Sequence, residues 1–292
     1  MPLRARGVRA VAVDESNQAQ ADFWATAGTL WTALRDRFDS QANEHGLAAI
    51  EALKPTAGER VIDIGCGAGT TTVQLAGRVG PDGEVIGFDI SPTMVDGARA
   101  HAVASDVSNA SFAVGDAMVE RFAPDHDAVF SRFGVMFFSD AGRAFTNIGS
   151  ALRPGGRLGF VCWQSPAQNG WASRPLEVVG RYVDMPFGSD PTAPGPFSLS
   201  DPQRVESLLV DAGFDQVTID ARTSLVDIGS DMDDTVNFLF DLMPPAGALR
   251  HNEPDKAAEV RVALADELSD WDGPEGVRAP SAVWIVTARK PG

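Results

Sequence analysis

Apolar and polar residues change period repeatedly along the middle of the chain, and this change predicts strands and helices in regular succession. Short apolar runs predict strands at 60–64, 84–88, 110–114, 126–131 and 157–163. Apolar residues at helical spacing predict helices between them, at about 69–79, 92–104 and 140–152. Repeated strand–helix units require a parallel sheet with helices on both faces. The pattern therefore predicts an α/β core.

The two flanks of this core are mainly helical in pattern. Residues 19–53 predict helices, with a break at Gly28. "RPGG" at 153–156 predicts a turn before the fifth strand. Later patterns predict helices at 172–183 and 201–214, a strand at 216–222 that can run on to 228, two further helices in "DMDDTVNFLFDL" and "DKAAEVRVALADELSD", and a last strand in "SAVWIVTARK" at 281–290. The path of residues 164–280 is not determined by these patterns.

These patterns divide the chain into five consecutive parts. They are a flexible tail at 1–18, an N-terminal helical cap at 19–54, an αβ core at 55–163, an insertion that would form a substrate lid at 164–215, and the rest of the core with a helical insertion and the final strand at 216–292.

Composition and charge narrow the class of ligand. The formal net charge of −16 repels phosphate backbones, which argues against a nucleic-acid substrate. No apolar run approaches the length of a membrane span. Cys66 and Cys162 do not resemble a disulfide framework, so we expect a reducing cytoplasm, and no cluster with metal-ligand spacing is visible.

The glycine-rich stretch "VIDIGCGAGT" between the first predicted strand and helix indicates a nucleotide-like ligand. It lacks the lysine of a triphosphate-binding loop, and Thr70 stands where a dinucleotide loop has its third glycine. Asp63 at the strand end would repel a pyrophosphate but suits a ligand with a positive group. Asp89 ends the next strand, where a carboxylate can accept hydrogen bonds from both ribose hydroxyls.

"VIDIGCGAGT", "GFDIS", "VGDA" and "LRPGG" resemble, in this order, the successive motifs of class I S-adenosylmethionine-dependent methyltransferases, in particular the small-molecule branch that includes quinone C-methyltransferase-like proteins. The resemblance covers about residues 19–163 and the final strand. It implies a Rossmann-like seven-stranded sheet whose last strand is antiparallel, an N-terminal helical cap, and helical insertions after strands five and six. It also implies S-adenosylmethionine as the cofactor and S-adenosylhomocysteine as its product.

The resemblance assigns cofactor contacts residue by residue. Asp63 would hold the methionine ammonium, Asp89 the ribose hydroxyls and Asp116 the adenine amino group. The other implied cofactor contacts are Gly65, Cys66, Gly67, Gly69, Ile90, Ala117, Ser131, Arg132 and Phe133, and Trp31 of the cap, where "FWATAGTLW" resembles the opening of some family members. Trp24 and Trp31 can equally serve only to pack a helix.

The acceptor side of the site carries few candidates for acid–base chemistry. We expect Phe137, Trp163, Gln164 and Tyr182 to contact the acceptor, and the weak catalytic candidates are Tyr182 and Asp184. The four histidines, His45, His101, His126 and His251, are interpreted as surface residues. Methyl transfer from a sulfonium mainly requires alignment and exclusion of water, so a catalytic base is not obligatory.

Together these features predict methyl transfer to a small, apolar or aromatic acceptor by in-line displacement. Two alternatives stay open: a nicotinamide-dependent oxidoreductase, and a cofactor-binding subunit without catalytic activity. A non-methylating use of the same cofactor is a third. The sequence leaves the oligomeric state open, with a homodimer as one possibility.

Overall fold

Strands and helices form close to where the apolar runs and amphipathic segments predict them, and the computed structural model describes residues 13–184 and 190–292. The strands are β1 (Arg60–Ile64), β2 (Glu84–Asp89), β3 (Ala110–Val114), β4 (His126–Arg132), β5 (Leu152–Trp163), β6 (Asp215–Gly229), β7 (Asp272–Gly273) and β8 (Gly276–Arg289). The helices are α1 (Gln18–Ala33), α2 (Arg35–Leu53), α3 (Thr70–Val79), α4 (Pro92–Ala104), α5 (Ala141–Ala151), α6 (Gly170–Val179), α7 (Pro202–Asp211), α8 (Met232–Leu242), α9 (Pro244–Asn252) and α10 (Pro254–Glu267).

The sheet has the strand order β3-β2-β1-β4-β5-β8-β6. β1 to β5 pair in parallel, whereas β8 is inserted antiparallel between β5 and β6. This confirms the predicted Rossmann-like sheet with an antiparallel last strand. The strand count differs from the predicted seven, because the two-residue β7 forms a short hairpin with the start of β8 and makes eight within the described residues.

The strand order determines at which edge of the sheet a ligand can bind, and this edge is called the functional edge below. β1 lies between β2 and β4, so the chain runs outward to β3 on one side and to β5 on the other. Ligands of open α/β sheets bind at such a switch point, beyond the carboxyl ends of the strands. The residues that follow β1, β2 and β4 therefore meet at one edge.

The N-terminal cap is attached to the core by close contacts between helices α1 and α4. The predicted break at Gly28 is wrong: the chain breaks at Leu34, and Gly28 lies inside α1. A Cβ at Gly28 would be 2.7 Å from the Ser91 hydroxyl oxygen, and a Cβ at Gly97 would be 2.7 Å from a Thr32 methyl carbon. Gly28 therefore serves close helix packing and not a turn.

The segment ahead of this cap also contacts the core. Residues 1–12 of the predicted tail lie outside the described residues. Asp14 caps a 3-10 turn at Glu15–Asn17, and the Asn17 side chain is buried. The Asn17 side chain also accepts a hydrogen bond from the Ser139 backbone N–H at 3.2 Å, which ties this segment to the core.

Two stretches differ from the predicted elements near the fifth strand. β5 begins at Leu152 and not at 157, because "RPGG" is built into the strand as an irregularity: the pairing with β4 passes from His126–Leu152 directly to Ala128–Arg157. Gly155 in this stretch has a φ of 75°, which favours glycine. Helix α6 is shorter than the predicted 172–183 and ends at Val179.

A second hydrophobic core lies outside the central sheet, which the sequence patterns did not predict. It is built by α6, α8, α9 and α10 against the outer parts of β6 and β8. Helix α9 was missed because its nine residues begin with two prolines and contain a glycine, a composition typical of loops. Along the described ranges, none of the helices combines the length and apolar character that a bilayer crossing requires.

An exposed glycine in α3 provides a test of the helical assignment. A Cβ added at Gly77 would have nothing within 4 Å, whereas Gly97 in α4 contacts Thr32 of the cap. Gly77→Ala should raise the free energy of unfolding by about 0.5–1 kcal/mol, since alanine loses less conformational entropy. Gly97→Ala is the matched control and should lower it. Urea denaturation measures both, and a destabilised Gly77→Ala protein would contradict the assignment.

Candidate functional site

The loop after β1 is formed by three glycines in left-handed conformation, with φ values of 66° at Gly65, 53° at Gly67 and 90° at Gly69. Two of them also permit close packing. A Cβ at Gly65 would be 2.8 Å from the Gly134 Cα, and one at Gly69 would be 2.8 Å from the Ala98 Cβ. Around Gly67 the nearest atom would be a sulfur at 3.9 Å, so this glycine leaves room for a ligand to approach the backbone.

Asp63 is a fully buried carboxylate at the end of β1. Its Oδ2 accepts hydrogen bonds from the Thr71 and Thr72 hydroxyls, at 2.6 and 2.7 Å. Its Oδ1 is buried without a hydrogen-bond partner among the described residues. Burial raises the pKa of Asp63 to about 6, although the hydroxyls and the nearby Arg132 guanidinium oppose this shift. A cationic ligand at Oδ1 would stabilise the ionised form.

Ser131 and Arg132 lie at the end of β4, next to the end of β1. The Ser131 hydroxyl and the Arg132 Nη1 are both buried and lack partners within the described part of the chain. Nη2 of Arg132 pairs with Asp39 of α2 at 2.5 Å, and Asp39 also accepts from the Thr70 hydroxyl. Arg132 shares the face of Asp63, because Asp63 pairs with Phe130 in the sheet, so within the described residues this face offers an anionic acceptor and a cationic donor without partners.

Asp89 connects two loops at the end of β2. Its Oδ2 accepts from the Gly67 backbone N–H and its Oδ1 from the Ser91 backbone N–H, both at 2.9 Å. Burial raises the pKa of Asp89. Each carboxylate oxygen has a second lone pair, so Asp89 retains the capacity to accept from two hydroxyls. Ile90 follows it and is half-buried.

Asp116 follows β3 and is covered by the N-terminal segment. Its Oδ1 accepts from the Met118 backbone N–H at 2.9 Å, and its Oδ2 accepts from the Asp14 backbone N–H at 3.1 Å. Asp14 also pairs with Arg143 at 2.5 Å. Ala117 is buried beside Asp116. The Asp14 contact was not predicted, because the two residues are far apart in sequence and no motif marks Asp14.

Cys66 is buried within the glycine loop and is not a nucleophile there. Burial raises the pKa of its thiol well above the usual value, and the Asp89 and Asp63 carboxylates act in the same direction. Across the described residues, no group of His, Cys, Asp and Glu side chains has an arrangement that could hold a metal ion.

Aromatic side chains of the cap form one cluster that includes two predicted site residues. Trp31 stacks on Phe38 with ring centroids 4.3 Å apart and meets Trp24 edge to face at 5.5 Å. Trp24 in turn meets Phe137, which follows β4, at 4.9 Å. Phe38 contacts Phe238 of α8 at 5.6 Å. Aromatic side chains from α1, α2, the segment after β4 and α8 thus form one continuous cluster.

A second aromatic group lies at the carboxyl ends of β4 and β5. Phe133 and Trp163 are stacked at 4.2 Å, and Trp171 of α6 lies 4.8 Å from Trp163. Gln164 is buried and donates from its side chain to the Val283 carbonyl at 2.8 Å. Tyr182 packs against the second core, and Asp184 is exposed beside the undescribed residues 185–189. The structure thus brings Phe133 and Trp163 together but not Tyr182 with them.

The interpretation of all four histidines as surface residues is wrong for two of them. His45 is completely buried, and His126 is 3% exposed. His126 lies at the start of β4, where its Nδ1 contacts the Ala123 and Ala151 carbonyls at 3.0 and 3.3 Å. His45 lies at the functional edge and contacts serines of β6 and β8. His101 is half-buried and His251 is exposed.

Comparisons with known proteins indicate the class of enzyme that the chain resembles. Residues 61–156 match a family described as a methyltransferase domain. The chain is 38% identical over 117 residues to the aklanonic acid methyltransferase DauC of Streptomyces sp. strain C5. The aligned region covers 40% of this chain and 53% of DauC. It is 28% identical to the nocamycin O-methyltransferase of Saccharothrix syringae, over 82% of this chain and 88% of that protein.

A third relative is the ubiquinone/menaquinone biosynthesis C-methyltransferase UbiE of Pseudomonas aeruginosa, 31% identical over 58% of this chain and 70% of UbiE. Among solved structures, YcgJ of Bacillus subtilis superposes with a TM-score of 0.58 at 17% identity, over 85% of this chain and 99% of YcgJ. The [4+2]-cyclase SpnF superposes with a TM-score of 0.57 at 20% identity, over 97% and 99%. These two likenesses show the fold alone.

The chain belongs to the class I S-adenosylmethionine-dependent methyltransferases, small-molecule branch, as its glycine loop, sheet order and relatives establish. The predicted cofactor, S-adenosylmethionine, is thereby confirmed, and the nicotinamide alternative finds no support in the relatives.

Proposed function

We propose that this protein transfers a methyl group from S-adenosylmethionine to a small, apolar or aromatic acceptor by in-line displacement. The observation that carries the proposal is a pair of buried atoms at the adjoining ends of β1 and β4 that lack partners among the described residues, Asp63 Oδ1 and Arg132 Nη1. Buried polar groups are almost always hydrogen-bonded, so an unpaired acceptor and an unpaired cationic donor on one face indicate a missing polar ligand.

The charges of these atoms fit the amino-acid end of the cofactor. Asp63 Oδ1 accepts a hydrogen bond from the ammonium group of the cofactor, and Arg132 Nη1 donates one to its carboxylate. Asp89 accepts from the ribose hydroxyls. Asp116 and Ala117 would hold the adenine, since a remaining lone pair of Asp116 can accept from the adenine amino group. A dinucleotide fits less well, because Asp63 would repel its pyrophosphate.

When bound, the cofactor supplies a methyl group on a sulfonium that leaves as a neutral thioether. The protein then has to exclude water and align the acceptor. The two aromatic groups around Trp31 and Trp163 can exclude water and align an acceptor, since their side chains are flat and apolar. The relatives named for aklanonic acid, nocamycin and quinone biosynthesis support a small-molecule acceptor.

Isothermal titration calorimetry with S-adenosylmethionine, S-adenosylhomocysteine and NAD⁺, followed by transfer of a labelled methyl group to a panel of hydroxylated aromatic compounds, tests the proposal. We expect both sulfur compounds to bind, NAD⁺ not to bind, and label to appear in at least one acceptor. Binding of S-adenosylhomocysteine without transfer to any acceptor would instead support a non-catalytic subunit or a non-methylating enzyme.

Asp89→Ala is expected to weaken S-adenosylhomocysteine binding by about 1.5–3 kcal/mol, roughly ten- to hundredfold, because hydrogen bonds to a charged group are lost. Calorimetry measures the change. Asp96, an exposed aspartate of the following helix, is the matched control, and Asp96→Ala should leave affinity unchanged. An unchanged dissociation constant for Asp89→Ala would refute the ribose assignment.

A further inference from the structure

His45 is a buried imidazole at the functional edge of the sheet that the proposed cofactor contacts do not use. It is completely buried in α2. Its Nε2 lies 2.9 Å from the Ser281 hydroxyl oxygen and 3.2 Å from the Ser224 hydroxyl oxygen. Its Nδ1 is buried and has no hydrogen-bond partner among the described residues. One nitrogen is therefore tied to β8 and β6, and the other is unpaired.

The serine contacts favour one of the two imidazole tautomers. The Ser281 hydroxyl oxygen lies 3.0 Å from the Ser224 carbonyl oxygen, and when it donates there it can only accept from His45. Nε2 therefore donates to Ser281, and neutral His45 keeps its lone pair on Nδ1. The opposite tautomer would bury an N–H at Nδ1 that has no partner among the described residues, which is costly.

The surroundings of the imidazole are those of the acceptor side. The His45 ring is perpendicular to Trp163 at 5.7 Å and to Phe133 at 6.4 Å, the two stacked aromatic residues at the ends of β5 and β4. Phe133 has a φ of 59°, a left-handed conformation that is strained for a bulky residue. Phe133 and Trp163 therefore border the buried imidazole with flat apolar surfaces.

We infer that His45 Nδ1 accepts a hydrogen bond from a hydroxyl of the methyl acceptor and takes its proton during transfer. The inference rests on the proposed function and deepens it, because it specifies an acceptor with an O–H group on a flat ring that packs against the aromatic pair Phe133 and Trp163. Ser281 is a positioning residue, since it holds the tautomer in which Nδ1 is basic.

The step balances in atoms and charge. A lone pair of the hydroxyl oxygen forms the bond to the methyl carbon, the carbon–sulfur bond breaks, and its electron pair stays on sulfur. The O–H proton moves to Nδ1 and its bonding pair remains on oxygen. The positive charge of the sulfonium thus becomes the positive charge of the imidazolium, and the site keeps its net charge. The imidazolium then loses its proton to solvent.

Burial lowers the pKa of His45 to about 4, so the ring is neutral in the ordinary pH range. The charged groups that face it are Glu44 on its own helix and Arg222 on β6, which pair with each other at 2.8 Å, and Arg132 after β4, which packs against Gly46. The elements β5 and β8 face it with uncharged Trp163 and Ser281. A weak base suffices, since the hydroxyl becomes strongly acidic as its oxygen bonds to carbon.

His45→Gln is the decisive variant, because glutamine places an amide nitrogen near the Nε2 position and has nothing at Nδ1. It can still donate to Ser281. With an acceptor from the hydroxylated panel, we expect kcat to fall at least a hundredfold, within the roughly 10²–10⁴-fold range of general-base catalysis. The dissociation constant for S-adenosylhomocysteine should not change, and the low-pH limb of the wild-type kcat profile should disappear.

His126→Asn is the matched control. It alters another buried histidine with one unpaired nitrogen, Nε2, at the opposite end of β4, and it retains an amide near the Nδ1 position. Its kcat should equal that of the wild type. A His45→Gln enzyme with wild-type kcat and an unaltered pH profile would overturn the proposal. Glutamine can replace a purely structural histidine without lowering kcat.

Nitrogen-15 NMR of the wild-type protein loaded with S-adenosylhomocysteine tests the same proposal without turnover or folding of a variant. We expect His45 to carry its proton on Nε2, and its Nδ1 resonance to shift on addition of 2-naphthol, a flat phenol. A proton on Nδ1, or an Nδ1 resonance that does not respond, would overturn the role of His45. Failure of the methyl-transfer panel with a responding Nδ1 would contradict the proposed function alone.

Discussion

Replacing Asp63 with asparagine is expected to stabilise the ligand-free protein at pH 7.5. Asp63 is completely buried, with a pKa of about 6 in place of the usual 3.8. A raised pKa contributes stability that is fully present below pH 3.8 and is lost as pH rises through 6. Above pH 6 the buried charge therefore costs about 3 kcal/mol, at 1.36 kcal/mol per pKa unit.

Asparagine removes this cost but introduces an amide N–H in place of Oδ1, whose burial costs about 1–3 kcal/mol if it stays unpaired. We expect a net gain of about 1 kcal/mol in the free energy of unfolding at pH 7.5 and a gain that shrinks, then reverses, toward pH 4. Urea denaturation at several pH values measures this. Asp220, an exposed aspartate of β6, supplies the control, and Asp220→Asn should leave the free energy of unfolding at pH 7.5 unchanged.

The same substitution should abolish most of the cofactor affinity. Breaking a buried ion pair by removal of one partner costs about 3–5 kcal/mol, which is roughly a 10²–10³-fold or greater rise in the dissociation constant for S-adenosylhomocysteine. A more stable protein that no longer binds is difficult to explain by damage to the fold. If Asp63→Asn binds as the wild type does, Asp63 does not hold the ammonium group.

Gly65→Ala is the second large expected effect. Gly65 has a φ of 66°, and an added Cβ would be 2.8 Å from the Gly134 Cα, a backbone atom that cannot rotate away. Strain in the left-handed region and overpacking together predict a loss of about 2–5 kcal/mol in the free energy of unfolding. Cofactor binding should weaken as well, because the loops after β1 and β4 must separate.

Gly58→Ala separates the two causes. Gly58 also has a left-handed φ, of 82°, but nothing lies within 4 Å of an added Cβ. Gly58→Ala should therefore lower the free energy of unfolding only by the cost of the left-handed conformation, about 1 kcal/mol, and should bind S-adenosylhomocysteine normally. Thermal denaturation and calorimetry of both variants measure the difference. Equal losses in the two proteins would show that the close approach of Gly65 and Gly134 is unimportant.

The sequence predicts the parts of the site that are coded locally. Asp63 and the glycines stand within seven residues of one another, and Asp89 ends the next apolar run, so period and spacing suffice to find them. The antiparallel β8 was also predicted, because "SAVWIVTARK" suits the inserted last strand of the family that the motifs resemble. These features depend on short-range order along the chain.

Long-range packing was not predictable from the same patterns. His45 meets Ser281 across 236 positions of sequence, and no local signal distinguishes it from a surface histidine of an amphipathic helix. Gly28 resembles a helix break, and only the approach of Ser91 shows why glycine stands there. The second core arises from α8, α9 and α10 packing on β6 and β8, which is a tertiary effect.

The crystal structure of the complex with S-adenosylhomocysteine tests the central claim most directly. We expect the ammonium group within hydrogen-bond distance of Asp63 Oδ1, the carboxylate on Arg132 Nη1 and the ribose hydroxyls on Asp89, so that Asp63 Oδ1 and Arg132 Nη1, which lack partners among the described residues, both gain them. A ligand bound elsewhere, or one seated at this edge while Asp63 Oδ1 and Arg132 Nη1 remain without partners, would contradict it.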